Sequence, residues 1–253
     1  MYRFGLKLYS VNENYVKEAI RLYEKGLYYY IELYSVPGSF RDCSKLWKGL
    51  PMPFIVHAPH FGDGLNFAVK TLKKKNYVMA EEAFRYADIL KAPIVIFHPG
   101  VNGDIKETAR QIKGLNDKRI VIENKPYFGL AENLICNGSN PEEIGFLIEE
   151  AKVGFCLDMG HAICAANANG FNPLEYIEKF LELRPTIYHL TDGDYYGIFD
   201  RHDHYGKGNF PLSHLLKLIP PDSRITNESV KDFPDSLSDF EEDMKFILGL
   251  LTD

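Results

Sequence analysis

Histidine and acidic residues recur in short motifs with one layout, in which a β-rich apolar run is followed by His, Asp or Glu. The nine candidate metal ligands in these motifs are His57, His98, Glu123, Asp158, His161, His189, Asp200, His202 and Glu228. Imidazole together with carboxylate suits Zn²⁺, Mn²⁺ or Fe²⁺ better than Ca²⁺ or Mg²⁺. The motifs therefore predict a metal centre.

The prediction depends on the whole set, because one histidine at a strand end usually packs or forms a hydrogen bond. Carboxylates that converge at one site repel one another and lose hydration unless cations neutralise them. The nine ligands are too many for one tetrahedral ion and suit two or three ions that share a bridging carboxylate. Because multi-metal sites clamp the attacking and leaving oxygens of a phosphate ester, the set favours phosphodiester hydrolysis without an organic cofactor.

The elements that carry these residues alternate between strands and helices. Strands are predicted at residues 4–9, 28–33, 53–57, 94–98, 120–123, 154–158, 187–192 and 224–228. Helices are predicted at residues 65–90, 105–115, 141–151, 173–183, 211–219 and 237–250, among others. Eight βαβ units in a chain of 253 residues predict an α/β fold, a (β/α)8 TIM barrel formed as one domain over residues 1–253. A doubly wound sheet is the competing architecture, but it gives no reason for the count of eight.

Composition excludes several classes of protein. The formal charge of −6 argues against a protein that coats nucleic acid through bulk positive charge. The 17 Phe and 16 Tyr argue against disorder. Four cysteines without C-x-x-C spacing favour a reducing compartment, and neither a signal peptide nor a membrane-spanning apolar run is recognisable. We expect a soluble, cytoplasmic protein that has no membrane partner, and we favour a monomer.

Four motifs occur in order along the chain: FHPG at His98, IEN at Glu123, CLDMGHA at Asp158, and DRHDHYGKGN from Asp200. Together they resemble the endonuclease IV branch, AP endonuclease family 2, of the xylose isomerase-like TIM barrels, over strands three to eight. The resemblance implies a DNA repair hydrolase, an endonuclease that cuts damaged DNA on the 5′ side of an abasic site. It also implies three zinc ions, with Mn²⁺ as an alternative at one or more sites.

The resemblance also distributes the nine ligands among the three ions. The first ion would be bound by His57, His98 and Glu123. Glu123 would bridge to the second ion, whose other ligands would be Asp158, His189 and Glu228. The third ion would be bound by His161, Asp200 and His202. Glu123 and Glu228 are the predicted catalytic residues, and Glu123 would orient the attacking nucleophile.

The chain departs from the nuclease pattern at positions outside the ligand set. Lys7 replaces a histidine of strand one, and His60 stands where the nucleases have tyrosine. The loop at 34–38 lacks the Asn and Arg side chains that the nucleases place near DNA, and the loop that begins at Lys125 is longer. The predicted substrate contacts are Lys7, His60, Arg201 and His204.

A sugar or sugar phosphate isomerase or epimerase on the same fold is the main alternative. It would bind a single divalent ion with four of the same residues, Glu123, Asp158, His189 and Glu228. Glu123 and Glu228 would then act as acid and base at the C–H bonds of a small sugar substrate. Glu32, at the end of the second predicted strand, fits that pattern. The alternative leaves four residues without a role, which are His57, His98, Asp200 and His202. A different metallohydrolase or a non-catalytic protein is the third possibility.

Overall fold

The structure is a computed structural model that describes residues 2–129, 131 and 133–251. Eight parallel strands follow one another in chain order around a closed barrel, which the pairing of the last strand with the first completes. The strands are β1 (Arg3–Tyr9), β2 (Tyr30–Tyr34), β3 (Phe54–His57), β4 (Val95–Phe97), β5 (Ile120–Glu123), β6 (Gly154–Asp158), β7 (Ile187–Leu190) and β8 (Arg224–Asn227). The predicted (β/α)8 barrel is thereby confirmed.

Helices alternate with these strands, and local signals explain where several of them begin. In the described part of the chain they are α1 (Val16–Glu24), α2 (Phe40–Lys48), α3 (Lys73–Leu90), α4 (Ile105–Leu115), α5 (Pro141–Ala151), α6 (Met159–Ala168), α7 (Pro173–Leu181), α8 (Leu212–Leu218) and α9 (Ser238–Gly249). The side chains of Asn140 and Asn172 accept hydrogen bonds from the first turns of α5 and α7, and proline follows each. Both helices therefore start at the predicted residue, because a capping side chain satisfies N–H groups that have no partner within the helix.

Apart from shifts of one or two residues at helix ends, the helices differ from expectation in two places. The helix expected over residues 65–90 begins only at Lys73. Asn66 accounts for the difference, because its backbone N–H donates to the Asn76 side chain and its side-chain amide donates to the Val101 carbonyl, instead of joining a helical turn. His161 follows β6 as expected, but it lies in the first turn of α6, because this helix follows the strand without a loop.

Hydrophobic side chains form two layers, one on each face of the strands. The larger layer packs the strands against the helices and includes Trp47, Phe97 and Phe155. The smaller layer fills the inside of the barrel with Tyr30, Ile55, Ile94, Ile96, Val121, Cys156 and Ile187. Burying each large apolar side chain contributes about 1.5–3 kcal/mol, so these layers can hold the strands that carry charged residues at their ends. Among the described helices, none combines the length and the apolar character needed to cross a membrane.

Candidate metal centre

Strand alternation brings six of the nine candidate ligands to one end of the barrel interior. For each strand from β3 to β8, the candidate ligand is the last residue of the strand or one residue beyond it, apart from His189 near the end of β7, and it comes two residues after a buried side chain of the interior. The pairs are Ile55 and His57, Ile96 and His98, Val121 and Glu123, Cys156 and Asp158, Ile187 and His189, and Thr226 and Glu228. Because side chains two apart point to the same face of a strand, all six ligands project inward at the C-terminal ends of the strands. All six are buried.

The other three ligands come from a helix start and a loop. His161 lies in α6, and its backbone N–H donates to the Asp158 carboxylate at 2.7 Å, which caps the helix. Asp200 and His202 lie in the loop between β7 and α8. The Asp192 carboxylate accepts backbone N–H groups from both parts of that loop, at Gly193 and Phe210, and so keeps it folded back toward the barrel.

Two of the three predicted ligand sets form compact groups. The Nε2 atoms of His57 and His98 lie 3.1 and 3.0 Å from one oxygen, Oε2 of Glu123. The Nε2 atom of His161 lies 3.1 Å from Oδ2 of Asp200, and His202 contacts the same oxygen through its own Nε2. Within each group, one ligand atom per residue lies within 4.8 Å of the others, a spacing that a single ion can span.

The predicted second set surrounds His189 between these two groups. Its Nδ1 atom lies 2.9 Å from Oε1 of Glu228, 3.5 Å from Oε2 of Glu123 and 3.9 Å from Oδ2 of Asp158. Glu123 thus contacts members of the first and the second set, as a bridging carboxylate must.

The orientation of the histidine rings tests whether cations fit these groups. Three rings direct Nδ1 at a backbone carbonyl: Ala58 for His57 (2.7 Å), Asn124 for His161 (2.9 Å) and Glu228 for His202 (2.9 Å). A carbonyl only accepts, so each Nδ1 carries the proton and donates it. In a neutral ring, Nε2 then points a lone pair at a carboxylate. Two lone pairs repel unless a proton or a metal ion lies between them, so the donor set fits a metal.

In His189 the two nitrogens exchange roles, so that Nε2 has the fixed partner and Nδ1 faces the carboxylates of the site. Its Nε2 lies 3.0 Å from Oε2 of Glu32, an oxygen that also accepts the Thr226 hydroxyl at 2.6 Å. The Nδ1 atom is buried among carboxylates, and no hydrogen bond to it is found within the described residues. Glu32 lies in the middle of β2 rather than at its end. It is therefore deeper in the barrel than the candidate ligands at the C-terminal ends of the strands.

The electrostatics of the site favour positive charge on His161 and His202. Burial lowers the pKa of His161, but the Asp158 and Asp200 carboxylates outweigh it and raise that pKa to about 10. Burial likewise opposes the charge on His202, whose pKa Asp200 raises to about 9. Burial alone would raise the pKa of Glu123, but the neighbouring cationic groups, among them Lys125, hold it well below its usual range. The carboxylates thus favour positive charge at His161 and His202, which a bound cation would supply, whereas burial dominates at His98 and holds its pKa well below its usual range.

Two lysines also reach the site. The Lys7 ammonium contacts Glu228 and lies 3.4 Å from Oε1 of Glu32. The Lys125 ammonium lies 3.3 Å from Oε1 of Glu123 and 3.2 Å from Nε2 of His161. Lys125 is not among the predicted site residues, although the sequence carries a signal for it. Lys125 follows Glu123 by two residues, and the same period carries the side chain inward.

The ligands open into a cavity of about 230 Å³ at the barrel mouth. His60 lines this cavity, with its ring stacked on that of His98 at a centroid distance of 5.6 Å, and burial lowers its pKa to about 4. The loop after β5 runs beside the cavity and is fastened by bridges of Val101 to Cys136 and of Phe128 to Ile135.

Two predicted substrate contacts, His204 and Arg201, do not line this cavity. His204 pairs with Asp243 at 2.9 Å and lines a different cavity, beside α9. Arg201 is exposed and pairs with Asp203 at 3.1 Å. The other two, Lys7 and His60, do line it. The exact direction of a loop side chain depends on contacts between distant residues, which the motif spacing does not encode.

The chain belongs to the xylose isomerase-like TIM barrel family, also known as AP endonuclease family 2, whose sequence model matches residues 30–247. It is 30% identical over 213 residues to a protein of Thermoplasma volcanium named "Probable endonuclease 4", with 76% of this chain and 71% of that one covered.

Two solved structures share the fold. A D-tagatose 3-epimerase-like protein superposes with a TM-score of 0.73 at 20% identity, over 99% of this chain and 97% of the other. Endonuclease IV from Thermus thermophilus superposes with a TM-score of 0.70 at 18% identity, over 99% of both chains. One fold thus carries proteins named for different reactions, so the function must be argued from the site.

Proposed function

We propose that this protein is a metal-dependent phosphodiesterase that hydrolyses DNA on the 5′ side of abasic sites. The observation that carries the proposal is the gathering of nine candidate ligands, all histidines or carboxylates, at one end of the barrel, where seven of them line one cavity. A centre for a single ion would leave several of these ligands without a function. The similarity to a protein named "Probable endonuclease 4" supports the same reaction.

The three ligand sets would hold the ions, which when bound supply Lewis-acid stabilisation of the charge on a phosphate ester. The carboxylates of Glu123 and Glu228, which both line the cavity, would orient the attacking water. Attack forms a new bond from oxygen to phosphorus, and the bond to the 3′ oxygen of the preceding nucleotide breaks. The proton that the water gives up ends on that oxygen. The products are a 3′-hydroxyl and a 5′-phosphate on the abasic sugar.

The test is a cleavage assay on a DNA duplex that carries one stable tetrahydrofuran analogue of an abasic site, with bound zinc and manganese counted beforehand. We expect incision 5′ to the analogue, no incision of the undamaged duplex, loss of activity on chelation and recovery with Zn²⁺. Absence of incision by protein that holds three ions would overturn the proposed substrate.

A matched pair of substitutions tests the catalytic carboxylate. Glu123→Gln is expected to reduce the incision rate by about 100-fold or more, because the amide neither bridges ions nor orients water as the carboxylate does. Glu150→Gln removes an exposed carboxylate at the end of α5 and is expected to leave the rate unchanged. Circular dichroism checks that both variants remain folded. Full activity of Glu123→Gln would contradict the assignment.

Isomerisation or epimerisation of a small sugar is the second candidate. The cavity volume of about 230 Å³, suited to a monosaccharide, favours it. Glu123 and Glu228 are then the acid and the base. Protein that binds one ion, does not cut DNA, and exchanges a ketose C–H proton for solvent deuterium would establish this function instead.

A further inference from the structure

The two lysines at the cavity differ in the partners that would remain to them once metal ions are bound. Lys7 contacts Glu228, a candidate ligand, but also lies 3.4 Å from Glu32, which is outside the three ligand sets and already accepts hydrogen bonds from His189 and Thr226. In the described part of the chain, the Lys125 ammonium lies at hydrogen-bond distance from Oε1 of Glu123 (3.3 Å) and Nε2 of His161 (3.2 Å), which both belong to candidate ligands. In a metal-loaded site, Lys7 would therefore keep Glu32 as a partner. Both partners of Lys125 would instead be bound to ions.

A cation in this position needs a new partner. The Lys125 side chain is only 10% exposed, so water cannot fully solvate its ammonium. Divalent ions on Glu123 and His161 would repel it, and a buried charge without a partner is strongly unfavourable. The Lys125 backbone is fixed by its N–H, which donates to Gly138 at 3.0 Å, so the side chain can turn but cannot leave the cavity. An anion entering the cavity satisfies this ammonium.

We propose that Lys125 binds a non-bridging oxygen of the scissile phosphate. The ammonium lies between Glu123, of the first and second ligand sets, and His161, of the third set. A phosphate bound where these ligand sets meet would therefore lie beside the ammonium. The charge-assisted hydrogen bond makes Lys125 a specificity residue that selects a phosphoester over an uncharged sugar. This inference rests on the proposed phosphodiesterase function.

The test is calorimetric titration of metal-loaded protein with inorganic phosphate, after the bound ions of each variant have been counted. Lys125→Met is expected to weaken phosphate binding at least tenfold with an unchanged ion count, as expected for the loss of one charge-assisted hydrogen bond. Lys125→Arg, which keeps the charge, is expected to bind within a few-fold of the original protein. Lys113→Met removes an exposed lysine of α4 and is expected to change nothing.

Two other outcomes would overturn the inference. Phosphate binding that is equally tight in Lys125→Met would show that the ammonium does not contact the anion. An altered ion count would show that Lys125 acts on the metals instead. Because the titration requires no turnover, it tests the role of Lys125 separately from the proposed cleavage of DNA. Loss of phosphate affinity in Lys125→Met, in protein that does not cut abasic DNA, would retain Lys125 as a phosphate ligand and reject only the DNA substrate.

Discussion

Glu32 determines which nitrogen of His189 faces the candidate ligands. Because Glu32 accepts the Nε2 proton and is itself held by the Thr226 hydroxyl, Nδ1 is directed at the carboxylates of the site. A carboxylate on the outer nitrogen of a metal-binding histidine fixes the ring and makes it a stronger ligand. Lys7 balances the charge of Glu32 from the other side. Glu32 is thus a positioning residue rather than a catalytic one.

Replacing this carboxylate gives the first prediction. Glu32→Gln is expected to weaken Zn²⁺ binding by about 10–100-fold, since the neutral amide is a poorer acceptor for the His189 N–H. Competition with a chromogenic chelator measures the affinity. Tyr30→Phe is the control, because it removes a hydroxyl that contacts Thr226, one step further from the ring, and should have a much smaller effect. Equal affinities in the two variants would contradict the role of Glu32.

The third ligand set gives the second prediction. His202→Ala is expected to lower the number of bound ions from three to two, because it removes one of the three side chains of the third ligand set. His214→Ala is the matched control, since His214 is an exposed residue of α8. Elemental analysis of both purified variants gives the ion count. An unchanged count in His202→Ala would exclude it as a ligand.

At the scale of elements, the register of β1 with β2 requires a residue without a side chain at Gly5. Gly5 pairs with Tyr30, and a Cβ atom at Gly5 would overlap the Tyr30 ring. That ring cannot easily turn away, because its hydroxyl hydrogen-bonds Thr226 at 2.9 Å inside the barrel. The small residue therefore leaves room for the layer that supports the site.

The third prediction tests this packing. Gly5→Ala is expected to lower the free energy of unfolding by about 1–3 kcal/mol, the usual range for overpacking a buried site. Gly49→Ala is the control at the end of α2, where the nearest atom would lie at an ordinary 3.6 Å, and a change of under about 0.5 kcal/mol is expected. Denaturant unfolding measures both. Equal stability of the two variants would show that the Tyr30 ring yields freely.

For the whole molecule, the concentration of charge at one end of the barrel links metal binding to stability. Seven of the nine candidate ligands are buried, and they converge there on a structure whose other interior residues are largely apolar. An ion that binds the folded protein but not the unfolded chain stabilises the fold through mass action.

The fourth prediction follows from this linkage. Chelation is expected to lower the midpoint of thermal unfolding. Zn²⁺ at about 100 times its dissociation constant should restore about 2.7 kcal/mol of stability for each site it fills. Ca²⁺ is the control, because it prefers oxygen ligands and gains little from imidazole. A midpoint that does not respond to chelation would contradict a metal centre in the purified protein.

The alternation of apolar strands and amphipathic helices, together with the count of eight strands, determined the barrel from the sequence alone. These patterns are local, and periodicity fixes which side of a strand a residue faces. The same periodicity predicted that candidate ligands would gather at one end, because every C-terminal strand end of a parallel barrel lies there.

Only the tertiary structure decided which side chains become partners. It paired Lys125 with Glu123 and His161, placed Glu32 under His189, and directed His204 toward Asp243 and away from the cavity. Such contacts join residues from different strands and loops. They depend on strand register and on the path of each loop, which arise from packing of the whole chain and not from the spacing of any one motif.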